Sequence, residues 1–401
     1  MTLSDKKRTS SSSTQALQAL TYLRSQVPPS DTQSRIQDLV CFAHLRWNFV
    51  YQRPQHLLSR AAQQWRVWYV EEPIWGDSLY LDIHSVDENI RVVVPHLPHG
   101  LDEESTIRLQ RQLVDQLLEQ QEITNFITWY YTPMALLFSD HLQANLVIYD
   151  CMDELSAFKG ASPRLLQEEK RLLSRADLVF TGGYSLYEAK LSRHERVFAF
   201  PSCIDYDHFV RARHGMADPA DQRDIAPQRI GFSGVLDERL DIELLGALAQ
   251  QLPDWQFILL GPVVKIDPAT LPQGPNLHYL GMKNYKELPA YFSNWDIAMM
   301  PFAHNEATRF ISPTKTPEYL AAGLPVVSTS ICDVKRTYCS WEQVQLADSA
   351  EAMGTAIRQA VQQGQKADWM SLDAFLREQS WENTWQQMQR LLYAQLIYAQ
   401  V

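Results

Sequence analysis

No stretch of the sequence approaches the run of about 20 apolar residues that a membrane-spanning helix requires. The first residues, MTLSDKKRTSSSSTQ, include basic side chains but lack the apolar segment of a secretory signal. We therefore expect a cytoplasmic protein with a flexible Ser- and Thr-rich tail over residues 1–36. Peripheral contact with the inner face of the membrane stays open as an alternative.

Basic charge and paired cysteines are also lacking. The formal net charge of -11 at pH 7 argues against general nucleic-acid binding, which needs a basic surface. None of the five cysteines belongs to a C-x-x-C pair, so we expect reduced, buried thiols. His96 and His99 with Asp102 lie in a Pro-rich loop without a fourth ligand, so we expect no metal site.

Short apolar runs alternate with helix-length segments along most of the chain. Runs such as DLVCFA at 38–43 and WQFILLG at 255–261 are typical of strands buried in a parallel sheet. The polar, Pro-containing segment 211–228 indicates a linker between two α/β domains, which 401 residues can accommodate. The predicted divisions are a tail over 1–36, domains over 37–210 and 229–370, the linker over 211–228 and a C-terminal helical segment over 371–401.

The stretch PFAHNEATRFISPTKTPEYLAAGLPVVST, residues 301–329, is typical of a strand, a polar loop, a short helix and another strand. We predict Thr316 as the helix N-cap. The free N–H groups there, with Lys315 and Arg309, would bind a pyrophosphate, and Glu318 could accept hydrogen bonds from ribose hydroxyls. Spacing alone leaves open that Glu318 only complements the helix dipole and that Lys315 is a solvated surface charge.

Within this stretch, K-x-x-E-Y-x-A-A-G-x-P-V-V resembles the donor-binding signature of retaining GT-B glycosyltransferases of the "glycosyl transferases group 1" type. LVFTGGYSL, FPSCIDYDHF and RIGFSGVL resemble the family's end of the first domain and start of the second. YDCMDELSAF and WNFVYQRPQHLL resemble a bacterial subgroup that builds surface polysaccharides. The resemblance, over about residues 38–345, implies an α/β GT-B fold: two Rossmann-like domains face each other across a cleft, and the last helix crosses back to the first domain.

The resemblance also implies roles for particular residues. Glu318 would bind the donor ribose, while Lys315 and the loop before it would hold the phosphates. The full expected donor-binding set is Gly234, Arg239, Asn305, Arg309, Ser312, Pro313, Thr314, Lys315, Thr316 and Glu318. For catalysis we expect Lys315 and Arg239 to stabilise the leaving diphosphate, and Asp153 or His44 to position or deprotonate the acceptor hydroxyl. Asp153 could instead cap a turn.

The sequence departs from the family pattern at three places. Phe310 occupies the position of the first Glu in the family's E-x7-E, and the nearest carboxylate is Glu306. Val235 follows Gly234 where the family often has Arg, so Arg239 is the only nearby base. PSCID replaces PNGVD before the linker.

The function that the resemblance implies is transfer of a hexosyl group from a UDP- or GDP-sugar to a hydroxyl of a saccharide or lipid-linked acceptor. We expect retention of configuration, no metal requirement and no permanently bound cofactor, and a place in exopolysaccharide, lipopolysaccharide or glycolipid biosynthesis. A sugar-nucleotide 2-epimerase and a non-catalytic sugar-nucleotide-binding scaffold stay open as alternatives.

Overall fold

The computed structural model describes residues 36–364 and 368–398. The predicted N-terminal tail therefore lies outside the described residues, apart from Ile36. We refer to residues 36–210 as the first half and to residues 211–364 as the second half. Each half is built on its own sheet, and this confirms the expected α/β class.

The first half contains a nine-stranded sheet. Its strands are β1 (Asp38–Phe42), β2 (Arg66–Val70), β3 (Ile74–Gly76), β4 (Tyr80–Asp87), β5 (Ile90–Pro98), β6 (Phe126–Tyr130), β7 (Leu146–Cys151), β8 (Leu178–Thr181) and β9 (Val197–Ala199). The order is β3-β5-β2-β1-β6-β7-β8-β9, and all pairs are parallel except that of β4 with β5. The central strands are buried along their length, as the apolar runs predict.

The helices of the first half are α1 (Arg53–Ala61), α2 (Glu103–Gln120), α3 (Leu136–Ser139), α4 (Leu165–Arg175), α5 (Tyr184–Lys190) and α6 (Tyr206–Phe209). The sequence pattern did not predict β3 and β4. Most of their side chains are exposed or only partly buried, so neither strand shows the apolar run of a buried strand.

The second half contains a six-stranded parallel sheet. Its strands are β10 (Arg229–Ser233), β11 (Gln256–Leu260), β12 (Leu277–Gly281), β13 (Ile297–Met300), β14 (Val326–Ser328) and β15 (Val344–Leu346). Its helices are α7 (Ile242–Gln251), α8 (Leu288–Phe292), α9 (Lys315–Ala321), α10 (Cys332–Tyr338) and α11 (Ala350–Gly364). The order β12-β11-β10-β13-β14-β15 is that of a doubly wound sheet, whose ligand crevice lies at the carboxyl ends of the strands where the order reverses.

The segment predicted as a linker packs against the second half. Gln222 is fully buried, and its Oε1 accepts a hydrogen bond of 2.8 Å from Trp295 Nε1. Arg229 Nη1 pairs with Asp218 Oδ2 at 2.6 Å. Polar side chains of this segment therefore form hydrogen bonds and an ion pair with the second half or within the segment itself.

Two helices follow the second half, α12 (Trp369–Glu378) and α13 (Trp381–Tyr398). One face of α13 carries buried side chains at helical spacing that join the apolar core of the first half: Trp381, Trp385, Met388 and Leu392. Trp385 contacts Trp65 with ring centroids 6.1 Å apart. The chain thus returns to the first half after completing the second. Among the described residues, no helix is both long enough and apolar enough to cross a membrane.

Candidate active site

A cavity of about 260 Å³ opens at the carboxyl ends of β10, β11 and β12. The second half forms its floor with residues that include Gly234, Tyr285 and Lys315, and residues 47–51 of the first half cover it. We call this cavity the cleft pocket. Gly261 has a positive φ of 139°, and an added Cβ there would lie 1.8 Å from the carbonyl oxygen of Gly234. This close approach therefore requires glycine at position 261.

Helix α9 brings Lys315 to the cleft pocket. The helix begins at Lys315, and the residue at its N-cap is Thr314, so the prediction of Thr316 as the N-cap is wrong. The side chain of Thr316 is instead fully buried, and its hydroxyl donates to Met300 Sδ at 3.4 Å. Thr316 therefore offers no side-chain group to a ligand at the start of the helix.

Lys315 lines the cleft pocket and forms an ion pair with Glu318, which lies behind it. Lys315 Nζ lies 2.5 Å from Glu318 Oε2, and both side chains are largely buried, with 13% and 6% exposed. Burial raises the pKa of Glu318, and Lys315 opposes this rise. The site thus contains an ammonium group suited to a phosphate and a carboxylate suited to hydroxyl donors.

Ser312 and Pro313 do not line the cleft pocket. The hydroxyl of Ser202, in the first half, donates to the Ser312 carbonyl, and Ser202 N donates to Ser312 Oγ at 3.4 Å. Pro313 lines a small cavity between the halves together with Tyr184 and Asp333. This part of the loop therefore fixes the position of α9 relative to the first half.

Asn305 and Arg309 also lie away from the lining of the cleft pocket. Asn305 accepts from Thr308 N at 3.0 Å and donates to the Glu238 carbonyl at 2.9 Å, so its side chain closes a turn. Arg309 is 63% exposed and pairs loosely with Glu306 at 3.6 Å. The expected grouping of Arg309 with Lys315 at one anion site does not occur in this structure, because the turn at Asn305 directs the guanidinium to solvent.

Phe310, at the position of the family's glutamate, packs against an apolar cluster of the first half that includes Leu186. Its ring also lies 5.2 Å from the Arg309 guanidinium carbon. Glu306 does not replace the missing carboxylate, since its side chain is 73% exposed. Position 310 thus serves contact between the halves.

Arg239 is held by a carboxylate of its own loop. Its Nε lies 2.9 Å from Asp237 Oδ1 and its Nη2 lies 2.7 Å from Asp237 Oδ2. Its guanidinium carbon also lies 5.6 Å from the centre of the Phe158 ring, across the cleft. Lys265 Nζ lies 4.9 Å from the same ring. Asp237 largely neutralises Arg239, whereas no carboxylate pairs with Lys265 among the described residues.

Sequence reasoning missed Lys265. Lys265 follows β11 at the same edge of the sheet as Gly234. Its position shortly after a predicted strand could have identified it as a candidate, because ligands bind at that edge. Its positive charge lowers the pKa of both acceptor-side candidates, His44 and Asp153.

His44 and Asp153 follow β1 and β7 at the carboxyl edge of the first sheet, and both are partly buried and have shifted pKa values. Burial, together with the positive charge of Lys265, lowers the pKa of His44 to about 4. His44 Nδ1 has no hydrogen-bond partner among the described residues. Burial raises the pKa of Asp153 to about 6, although Arg239 opposes the rise. At pH 7, His44 is therefore neutral and Asp153 is mostly ionised.

Arg53 and Asp150 of the first half form a buried ion pair. Arg53 Nη2 lies 2.8 Å from Asp150 Oδ1, and Arg53 Nη1 donates to the Phe200 carbonyl at 2.8 Å. Asp150 is fully buried. The pair holds the start of α1 against the end of β7.

Tyr285 links three parts of the chain beside the cleft pocket, and sequence reasoning did not identify it. Its ring stacks on Tyr51 of the covering loop at 4.7 Å and on His208 of α6 at 4.5 Å. Burial raises the pKa of Tyr285, whose hydroxyl has no hydrogen-bond partner among the described residues. No sequence spacing indicated these contacts, which join residues far apart in the chain.

No group of three or more His, Cys, Asp or Glu side chains within residues 36–364 and 368–398 is arranged to hold a metal ion. His96, one of the residues weighed for such a site, stacks on Tyr80 at 4.2 Å.

The second half is similar in sequence to a known protein family. Residues 227–363 match the family model described as "Glycosyl transferases group 1". These residues are a glycosyl transferases group 1 domain. The domain contains the second-half floor of the cleft pocket and the Lys315–Glu318 pair. The family resemblance seen in the sequence is thereby confirmed.

One curated relative is a Bacillus subtilis (strain 168) protein, TuaH, named as a putative teichuronic acid biosynthesis glycosyltransferase. It is 30% identical over 223 residues, which are 51% of this chain and 55% of the relative. The matched region thus spans about half the length of the relative.

Solved structures show the fold. A sucrose-phosphate synthase from Thermosynechococcus elongatus superposes with a TM-score of 0.67 at 17% identity, covering 90% of this chain and 100% of that one. HepE of Anabaena, in complex with UDP and glucose, superposes with a TM-score of 0.63 at 14% identity, covering 88% and 99%. An E. coli structure described as "Trehalose-6-phosphate from E. coli bound with UDP-2-fluoro glucose" superposes with a TM-score of 0.65 at 13% identity, covering 91% of this chain and 99% of that one. The chain has the GT-B fold, as the sequence predicts.

Proposed function

We propose that this protein is a glycosyltransferase that transfers a hexosyl group from a nucleoside-diphosphate sugar to a hydroxyl acceptor. The observation that carries the proposal is the cleft pocket: it lies at the carboxyl ends of β10, β11 and β12 in a glycosyl transferases group 1 domain, and its lining includes Lys315, which is paired with Glu318. The loop of residues 47–51 from the other half covers it.

The proposed donor is a UDP- or GDP-sugar. Lys315 Nζ would exchange its contact with Glu318 for the diphosphate, and Glu318 would then accept hydrogen bonds from the ribose hydroxyls. Gly234 would allow close approach of the backbone to the phosphates. UDP lies in the structures of HepE and UDP-2-fluoro glucose in the E. coli structure, which favours uridine among the bases.

The remaining predicted donor residues would act indirectly. Ser312, Pro313 and Thr314 would hold the start of α9 in place, and Asn305 would shape the loop before it. Arg239 would contribute less positive charge than expected, since Asp237 accompanies it. Lys265 is our candidate for the second cation at the diphosphate.

In the proposed reaction, the acceptor oxygen forms a bond to the anomeric carbon while the bond from that carbon to the diphosphate oxygen breaks. The charge that develops on the leaving diphosphate would be stabilised by Lys315 and Lys265. His44, neutral at pH 7, would accept the proton of the acceptor hydroxyl. Asp153 would orient that hydroxyl.

Retention of configuration and independence from metal ions are part of the proposal: the family resemblance implies both, and Lys315 and Lys265 would carry the positive charge that a metal ion would otherwise supply. The proposed pathway is assembly of a surface polysaccharide or glycolipid on a saccharide or lipid-linked acceptor. The similarity to a protein named for teichuronic acid biosynthesis supports this pathway.

Thermal-shift measurements with UDP, GDP, dTDP, ADP and their sugars test donor binding. We expect stabilisation by one nucleotide family, lost in Glu318→Ala and in Lys315→Ala. Glu342→Ala is the matched control, since Glu342 is an exposed carboxylate of the same domain that does not line the cleft pocket. If no nucleotide stabilises the wild-type protein, the transferase proposal fails.

Product analysis tests the reaction itself. The preferred sugar nucleotide should release its nucleoside diphosphate only when an acceptor is added, with unchanged rate in EDTA and the same anomer in product and donor. Interconversion of the sugar nucleotide without acceptor would identify an epimerase and contradict the proposal.

A further inference from the structure

A second cavity, of about 340 Å³, opens at the carboxyl ends of β1, β2 and β6. The order of the first sheet reverses between β1 and β6, so the cavity lies at the switch point of that sheet. Its polar and aromatic lining includes Glu71, Glu72, Trp75, Glu103 and Gln110. We call it the first-half pocket.

The first-half pocket and the cleft pocket share a wall. Glu71 lines the first-half pocket, and its Oε1 accepts a hydrogen bond of 2.7 Å from the backbone N–H of Trp47, which lines the cleft pocket. Arg46 Nη1 donates to Glu71 Oε2 at 2.8 Å and to the Glu72 carbonyl at 2.6 Å. The wall therefore belongs to the loop after β1, which also carries His44.

The chemistry of the first-half pocket suits a pyranose ring. The indole of Trp75 is 43% exposed at a concave site, where an aromatic face can stack on the C–H face of a sugar. Glu72 and Gln110 place a carboxylate and an amide in the same lining, and both can hydrogen-bond to hydroxyls. Aromatic surface with a few polar groups is the usual composition of a small-molecule site.

The charge of this lining is entirely negative. Glu71, Glu72 and Glu103 line the first-half pocket, and no Lys or Arg does so among the described residues. The nearest guanidinium groups are already used, since Arg46 binds Glu71 and Arg164 binds Glu103 at 2.6 Å. An anionic sugar would bring another negative charge to these carboxylates without a free cation to receive it.

We propose that the first-half pocket binds a neutral pyranose as the terminal unit of the acceptor and excludes phosphorylated and uronic acid sugars. The ring stacks on Trp75, and Glu72 and Gln110 accept and donate hydrogen bonds to its hydroxyls. The assignment of this sugar as the acceptor rests on the proposed transferase function, whereas its binding at Trp75 does not.

Saturation-transfer NMR on the full chain tests the proposal with methyl glucoside, methyl galactoside and methyl glucuronide as probes. We expect binding of at least one neutral glycoside, with a dissociation constant raised about fivefold in Trp75→Ala and retained in Trp75→Phe. Tyr80→Ala is the matched control, since Tyr80 is a similarly exposed aromatic residue that does not line the pocket.

Glu72→Gln tests the charge argument. It should strengthen binding of methyl glucuronide about threefold and leave the neutral glycosides unchanged, because it removes charge but keeps hydrogen-bonding capacity. The proposal is overturned if the wild-type protein and Trp75→Ala bind the neutral glycosides equally well. It is also overturned if the wild-type protein binds the glucuronide more tightly than both neutral glycosides.

A UDP and GDP thermal shift on the same samples separates this failure from failure of the proposed function. If Trp75→Ala still binds the glycosides and is still stabilised by a nucleotide, the proposal for the first-half pocket is refuted and the transferase proposal stands. Loss of glycoside binding in Trp75→Ala, with no response of the wild-type protein to any nucleotide, supports the pocket and refutes the transferase.

Discussion

Gly183 of the first half lies directly against the carboxylate of Asp333 in the second half. An ideal Cβ on Gly183 would be 2.4 Å from Asp333 Oδ2. The same carboxylate accepts hydrogen bonds from the backbone N–H groups of Tyr184 at 2.8 Å and Ser185 at 3.0 Å, so it caps helix α5 from the other half. Glycine at position 183 therefore permits a cap that joins the two halves.

Gly183→Ala should displace Asp333 and loosen the junction of the halves. We expect a loss of about 2 kcal/mol in the free energy of unfolding, because neither the backbone nor the capping carboxylate can move without losing hydrogen bonds. Urea denaturation measures the loss, and small-angle X-ray scattering should show a larger radius of gyration. Gly76→Ala is the control, since an added Cβ there meets nothing within 4 Å. Equal stability of both variants would contradict the structural role of this contact.

Asp150→Ala should destabilise the protein by about 3–5 kcal/mol, because it leaves the buried guanidinium of Arg53 without its carboxylate. The double variant Arg53→Met with Asp150→Leu should recover part of that loss, since it removes both buried charges. Thermal and urea denaturation measure both effects. In Glu188→Ala, which breaks an exposed pair with Arg336, we expect at most about 1 kcal/mol. A double variant less stable than Asp150→Ala would refute the explanation by an unpaired charge.

The pKa values of His44 and Asp153 should affect the pH dependence of stability in opposite directions. Folded His44, with a pKa of about 4, stays neutral where the unfolded histidine, with a pKa of 6.5, binds a proton, so stability is lost as pH falls from 6.5 towards 4. Folded Asp153, with a pKa of about 6, keeps its proton at pH values where the unfolded carboxyl, with a pKa of 3.8, has lost it. Its contribution to the free energy of unfolding is therefore lost as pH rises from 3.8 through 6.

The wild-type protein loses stability through His44 as pH falls from 6.5 to 4. In His44→Gln this loss should be smaller, and the slope of the free energy of unfolding against pH should change by the equivalent of up to about one proton. In Asp153→Asn the loss over the same pH range should be larger. Urea denaturation at half-unit pH intervals measures both slopes. His99→Gln, at an exposed position outside the cleft, serves as the reference. If both variants shift the slope in the same direction, the placement of these two groups in the cleft is wrong.

Tyr285→Phe should raise the free energy of unfolding of the ligand-free protein by about 1 kcal/mol, because it removes a buried hydroxyl without a partner among the described residues. Tyr285→Ala should lower stability, since it removes the stacking with Tyr51 and His208. Denaturation of both variants measures the difference. Destabilisation by the phenylalanine variant would show that the hydroxyl has a partner in solution.

Much of the fold was predictable from the sequence. Strands buried on both faces of a parallel sheet must consist of apolar runs, and runs such as those at 38–43 and 255–261 therefore indicated β1 and β11. Strands β3 and β4, which both pair with β5, were not predictable in this way, because their side chains are exposed or only partly buried. The start of α9 was also misplaced, since packing of Thr316 against Met300 outweighs its tendency to cap a helix.

The candidate site was predictable in part. Local sequence placed Lys315 and Glu318 near each other, because residues three apart on a helix face the same side. It could not show that Arg309 turns to solvent or that Phe310 packs between the halves. Those outcomes depend on the hydrogen bond from Asn305 to the Glu238 carbonyl and on the opposing surface of the first half, and both involve residues far away in the chain.

The sequence by itself determined two α/β units and a short helix with a lysine and a glutamate beside a cleft. Only the tertiary structure decided which cation is free to act there: Asp237 holds Arg239, whereas Lys265 lies against Phe158 of the other half. It also decided that His44 is neutral at pH 7, since burial near Lys265 sets its pKa. The physical reason is that charge and hydrogen-bond partners are chosen by distance and burial, and both depend on segments far apart in the chain.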